Sequence, residues 1–201
     1  MWKASRVMFG LMMATLSHAE GIVGDQIISN NMMDAYTIVP GPNYKVPDAW
    51  KCTNYPAKNR RCIYTGTRLG ISSSKPGNTP TSLMASPVNP TWWQTVNVPA
   101  TGTYQVRLVA NTYMPNYSSS EVSGQALIVK VGTNVVLSQP FTGMPTAPMG
   151  THATSVTATA NVQLTAGSSL VSIGLLKPAN ISYYGGYTFY IDELSMTYIA
   201  P

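Results

Sequence analysis

Thr103-Tyr104-Gln105-Val106-Arg107-Leu108 decides the fold. Tyr104, Val106 and Leu108 alternate with Thr103, Gln105 and Arg107. A period of two puts the first three on one face of a β-strand, against a core. Leu127, Val129 and Val131 repeat the pattern, and so do Val156, Ala158, Ala160, Val162 and Leu164, mainly between Thr, Asn and Gln. Val171, Ile173 and Leu175 form a further set. Turns and loops separate these segments, with no helical periodicity between them, so the chain is expected to be all-β, an antiparallel β-sandwich of the jelly-roll kind. The last strand changes step. Phe189 and Ile191 share one parity, Leu194, Met196 and Tyr198 the other. A β-bulge at Asp192-Glu193 would return both sets to the core and re-aim an acidic side chain.

The first residues speak for the compartment. Lys3 and Arg6 precede an apolar run from Val7 to Leu16, and Ser17-His18-Ala19 offers small residues before Glu20. That is the layout of a secretory signal peptide over residues 1–19, and the run is too short to span a bilayer, which needs roughly 20 residues. A secreted, periplasmic or extracellular protein follows, or a virion or cell-surface one if the segment is kept. Charged residues make up only 9% of the chain, far below the share in cytosolic enzymes. Cys52 and Cys62 are the only cysteines. In an oxidising compartment they are expected to form one disulfide.

Residues 20–90 are less regular. Tyr36-Thr37-Ile38-Val39 suits a first strand, expected to pair into the same sandwich, and Pro40, Pro42 and Pro47 then interrupt the chain. Residues 20–201 are thus read as one sandwich domain with a basic, disulfide-closed extension over about 40–90. Lys45, Lys51, Lys58, Arg60, Arg61, Arg68 and Lys75 crowd into this stretch against Asp48 alone. Such a patch attracts anionic polymers through residues 45–75, or simply keeps a loop solvated.

Three segments together resemble family 6-like carbohydrate-binding modules over residues 92–199. Trp93-Gln94-Thr95-Val96-Asn97-Val98-Pro99-Ala100-Thr101-Gly102-Thr103-Tyr104 is similar to their entry into a long core strand. Val162-Gln163-Leu164-Thr165-Ala166-Gly167 is similar to their hairpin, and Tyr190-Ile191-Asp192-Glu193-Leu194 to their closing strand. The resemblance implies a non-catalytic module that binds a polysaccharide or surface glycan. The alternative is a structural or assembly protein of a cell surface or virion built on the same sandwich.

The resemblance places ligand-stacking aromatics in two loops. Tyr113 and Tyr117 follow the long core strand, while Asn180, Tyr183, Tyr184 and Tyr187 precede the last one. Tyrosine faces pack on the C–H side of a sugar ring, and an amide supplies directed hydrogen bonds. The resemblance also implies a structural calcium ion at Asp192, with Asp34 as a second ligand. Of the consecutive pair Trp92 and Trp93, one must face inward, and Trp93 is the one expected there. His152 sits in a loop without a motif around it. The chain has no G-x-S-x-G, phosphate loop or His/Cys metal cluster, so an enzyme is not expected.

Overall fold

Alternating apolar residues become strands wherever a second strand can cover their backbone groups. In the computed structural model the described residues are 21–39, 44–52, 62–72, 91–113, 124–141, 146–147, 155–176 and 188–201. The expected signal segment 1–19 and His152 lie outside them. The strands are β1 (Tyr36–Val39), β2 (Tyr44–Pro47), β3 (Lys51–Cys52), β4 (Cys62–Tyr64), β5 (Leu69–Ser72), β6 (Trp92–Val98) and β7 (Gly102–Tyr113). They continue as β8 (Ala126–Val131), β9 (Asn134–Pro140), β10 (Thr146–Ala147), β11 (Val156–Leu164), β12 (Gly167–Leu176) and β13 (Thr188–Ala200).

Two sheets face each other across one apolar core. A six-stranded sheet runs β10-β7-β13-β5-β4, with β11 also on β7, and a five-stranded sheet runs β3-β6-β12-β8-β9. Pairing is antiparallel except for the short parallel contact of β10 with β7. The chain is an all-β sandwich. Tyr104, Val106 and Leu108 of β7, Leu127 and Val129 of β8, Val171 and Ile173 of β12, and Leu194 and Met196 of β13 are all buried. Gly102, where β7 starts, has no room for a Cβ, which would collide with the Ala200 carbonyl at the end of β13.

The N-terminal segment joins the sandwich differently from expectation. β1 pairs only with β2, in a separate two-stranded sheet, and all four of its residues are exposed. Residues 24–31 lie beside the last strand instead. Gly24 and Ile27 donate their N–H groups to the carbonyls of Tyr198 and Met196, and Leu194 donates to Asn31. Ile28 and Met33 carry this segment into the core. Tyr36 to Val39 is left to solvent because a short ladder needs only β2, and Lys45 on β2 sets its ammonium 4.4 Å from the Tyr36 ring centroid.

The tryptophan pair is also reversed. Trp92 is fully buried and donates its indole N–H to the Gly70 carbonyl at 2.9 Å, while Trp93 lies half-buried on the outer face. The parity of β6 is set by Trp92, Val96 and Val98, and the polar Gln94 occupies the remaining inward position. Gln94 is tolerated there because its amide pairs with the backbone of Ser29 in both directions, each bond at 3.1 Å. A buried amide with both bonds made costs little.

Tyr104 gives a pH test of the core. Its ring packs edge-on against Tyr198 and its hydroxyl donates to the Ala100 carbonyl at 2.8 Å. Burial, above all, raises its phenol above the ordinary value, with Tyr198 and Asp25 adding to the effect. The unfolded chain therefore releases this proton first as the pH rises past about 10, so the folded state binds more protons there and stability falls with rising pH. Below that range the contribution is fully present. Denaturant melts from pH 8 to 11 should show a steeper alkaline loss in the wild type than in Tyr104→Phe. Parallel slopes would show that Tyr104 does not govern the loss.

Candidate functional site

The change of step in the last strand is a bulge. β13 pairs Ile191 with Ala110 and Glu193 with Val109, which leaves Asp192 as the extra residue. Its side chain is turned out of the ladder and meets three other elements. The Arg68 Nε lies 2.6 Å from Asp192 Oδ1 at the entrance to β5. Asn111 on β7 donates its amide to Oδ2 at 3.2 Å, and Ser155, just ahead of β11, donates its hydroxyl to the same oxygen. Asn111 also donates to the Ser155 hydroxyl at 3.1 Å. Asn111 is almost fully buried, whereas Arg68 and Asp192 keep about a fifth of their side chains in solvent. Next to this knot, on the outer face, Glu193 pairs with Arg107 and accepts a bond from Ser195.

Calcium takes six to eight oxygens at close range. The shell of Asp192 instead holds a guanidinium and an amide N–H, both donors, and a dication there would sit against the arginine. Asp34 is exposed between Met33 and Ala35. No group of three or more His, Cys, Asp or Glu lies together among the described residues. These residues do not suit a calcium ion, and Arg68 supplies the positive charge that Asp192 needs. The contacts of the knot are hydrogen bonds and the neutralisation of Asp192 by Arg68. Replacing Asp192 with Ala should cost about 1–3 kcal/mol, the usual loss when buried donors such as the Asn111 amide are stranded. Melting curves should fall equally with calcium and with chelator. A calcium-dependent rise in the wild type alone would restore the metal.

Just beyond the knot, the two sheets end together. Tyr113, the last residue of β7, is paired with Thr188, the first of β13, and also with Ala147 of β10. On the opposite sheet Leu176, the last residue of β12, is paired with Ala126, the first of β8. In the sequence, 114–123 follow Tyr113, 148–154 follow Ala147 and 177–187 lie between Leu176 and Thr188; all three stretches are outside the described residues. Tyr113 belongs to this rim through its backbone. Tyr117, Asn180, Tyr183, Tyr184 and Tyr187 lie outside the described residues. Arg68 was not marked as a partner of Asp192 by any sequence signal, since its neighbours form a run of solvated charge.

The sandwich is similar to those of carbohydrate-binding modules. A family 35 carbohydrate-binding module from Clostridium thermocellum matches at 18% identity and a TM-score of 0.35, over 63% of this chain and 86% of that one. A carbohydrate-binding module from Cellvibrio mixtus lichenase 5A, in complex with cellotriose, matches at 14% identity and a TM-score of 0.35, over 88% of this chain and 98% of that one. The K3 adhesin domain of Lys-gingipain from Porphyromonas gingivalis matches at 13% and 0.49, over 87% and 98%. No family model matches the chain, and no curated protein does.

Proposed function

We propose that the chain is a secreted, non-catalytic module that binds a polysaccharide or surface glycan at the end of the sandwich where Tyr113, Thr188 and Ala147 come together. The pairing of Tyr113 with both Thr188 and Ala147 supports this reading, because it brings the backbone of β7, β13 and β10 together where the tyrosine-rich stretches of the sequence begin and end. In the sequence Tyr117 follows Tyr113 closely, and Asn180, Tyr183, Tyr184 and Tyr187 shortly precede Thr188. Aromatic faces with an amide nearby are what a sugar ring requires. The Asp192 knot lies directly beneath, tying β5, β7, β13 and the start of β11, and so holds the rim still. Binding at a rigid rim loses less entropy than binding at a loose one. A glycan array probed with the mature chain should give specific binding that alanine at Tyr113 or Tyr183 abolishes. Binding indifferent to both substitutions, or none at all, overturns the reading.

A further inference from the structure

The sandwich manages its open edges unevenly. β3 and β4 are two and three residues long and are tied together by the Cys52–Cys62 bond. β9 shifts register against β8 between Val129 and Lys130, and it ends on Pro140. Short strands, bulges and prolines are the devices that stop one sheet from pairing with another. β11 has none of them. It runs for nine residues, Val156 to Leu164, and pairs with β7 from end to end without a register shift. It contains no charged residue, proline or glycine. Among the described residues no strand pairs with its other side, although β9 of the facing sheet packs against it.

Burial also stops short at this edge. On β7 the inward residues Tyr104, Val106, Leu108 and Ala110 are sealed. Their register partners on β11, Val162, Ala160, Ala158 and Val156, pack on the same core and are only partly buried. The outward residues Thr157, Thr159, Asn161 and Gln163 are exposed. One more strand would cover the inward row and pair with the backbone groups of the open side.

The residues of β11 name the strand that fits. Val156-Thr157-Ala158-Thr159-Ala160-Asn161-Val162 reads the same in both directions, apart from Thr157 against Asn161. Such a strand is its own complement when two copies run antiparallel about a twofold axis. We infer that β11 is a self-association edge, where a second copy of this chain continues the six-stranded sheet. With the axis at Thr159, Val156 meets Val162 and Ala158 meets Ala160 on the core face. On the outer face Thr157 meets Asn161, hydroxyl against amide, and Thr159 meets its own counterpart. Apolar and Thr–Thr cross-strand pairs both favour a ladder. Arg107 stands opposite Thr159 on β7, and Glu193 pairs with it, so the axis is not flanked by uncompensated like charges. Val156 lies near the Tyr113 end of β7, so antiparallel pairing sets the two Tyr113 ends at opposite poles of the dimer. A glycan-binding dimer then bridges two surfaces. That consequence rests on the glycan-binding reading, whereas the pairing of β11 does not.

Sedimentation equilibrium of the full chain should give twice the mass of one chain, falling to one on dilution. Thr159→Lys sets two ammonium groups against each other at the axis and should weaken the dimer at least tenfold, while Thr159→Val should keep it. Register is read by cross-linking with a short thiol-to-thiol reagent. Thr159→Cys should link two copies readily, since directly opposite Cβ atoms lie about 5 Å apart. Thr157→Cys should link poorly, because its two copies stand four residues apart along the ladder, about 13 Å. A mixture of Thr157→Cys and Asn161→Cys chains should link again. If Thr159→Lys fails to fold, the three cysteine variants carry the comparison. A single-chain mass at the highest concentration reached overturns the inference. So does a dimer indifferent to Thr159→Lys, equal linking through positions 157 and 159, or growth into open-ended polymers. Glycan binding enters none of these measurements, so failure of the rim site would leave them unchanged.

Discussion

A chain beginning at Pro90 should fail to fold. It keeps the strands with regular alternation, yet it loses Ile28, Met33, Trp50, Cys52, Cys62, Tyr64, Leu69 and Ile71, all buried in the shared core. Trp50 and Leu69 are among the largest fully buried side chains of the molecule. Truncating one large core residue typically costs 2–5 kcal/mol, and a domain's whole margin is about 5–15 kcal/mol. The loss is also topological. β13 would be left without β5 along Thr188–Ile191 and without residues 24–31 beside Leu194–Tyr198. Trp92 would lose the Gly70 carbonyl that accepts its indole N–H. The shortened chain should show no cooperative thermal transition and should bind a dye for exposed apolar surface. A cooperative melt within a few degrees of the full chain would mean that residues before Pro90 only decorate the sandwich.

The regular half of this fold was legible because Tyr104, Val106 and Leu108, Val171, Ile173 and Leu175, and Leu194, Met196 and Tyr198 recur at every second residue and are all buried. Where that condition fails, reading fails with it. Gln94 stands at an inward position, and without it the parity of Val96 and Val98 would have named Trp92 as the buried tryptophan. Its partner is the backbone of Ser29, 65 residues away, and no local pattern announces a contact of that kind. Residues 24–31 were missed because their bonds to β13 are mostly single backbone bonds around one isolated bridge, Gln26 with Thr197. Such a segment needs no alternation. Tyr36 to Val39 has the composition of a core strand and yet is exposed, because β-propensity reports fit to a pleated surface rather than burial.

The site divides along the same line. The bulge at Asp192 was readable, since a one-residue insertion must flip the parity of all that follows. Its chemistry was not. Arg68 neutralises Asp192 across a gap of 124 residues between two strands of one sheet, and charge in a basic stretch looks alike whether paired or free.

Removing the disulfide should be the costliest change short of truncation. Cys52 and Cys62 are bonded, with Cα atoms 6.5 Å apart and a sequence separation of 10. Cys52 belongs to β3, at the edge of the five-stranded sheet, and Cys62 to β4, at the edge of the six-stranded sheet. The bond thus crosses from one layer to the other and closes the open side of the sandwich. In the chain-entropy account, freeing a loop of this length gives the unfolded state about 2.8 kcal/mol. For a chain of this size that corresponds to a fall of roughly 6–11 °C in melting temperature. The half-cystines are also buried, so Cys52→Ala with Cys62→Ala removes packing between β3 and β4 and should sit at or beyond the upper end of that range. Chemical reduction of the unaltered chain separates the two contributions, because it restores loop freedom and keeps both sulfurs. The reduced wild type should therefore melt above the double variant and below the oxidised protein. Equal melting of oxidised and reduced chains would show that packing alone holds the two sheet edges together.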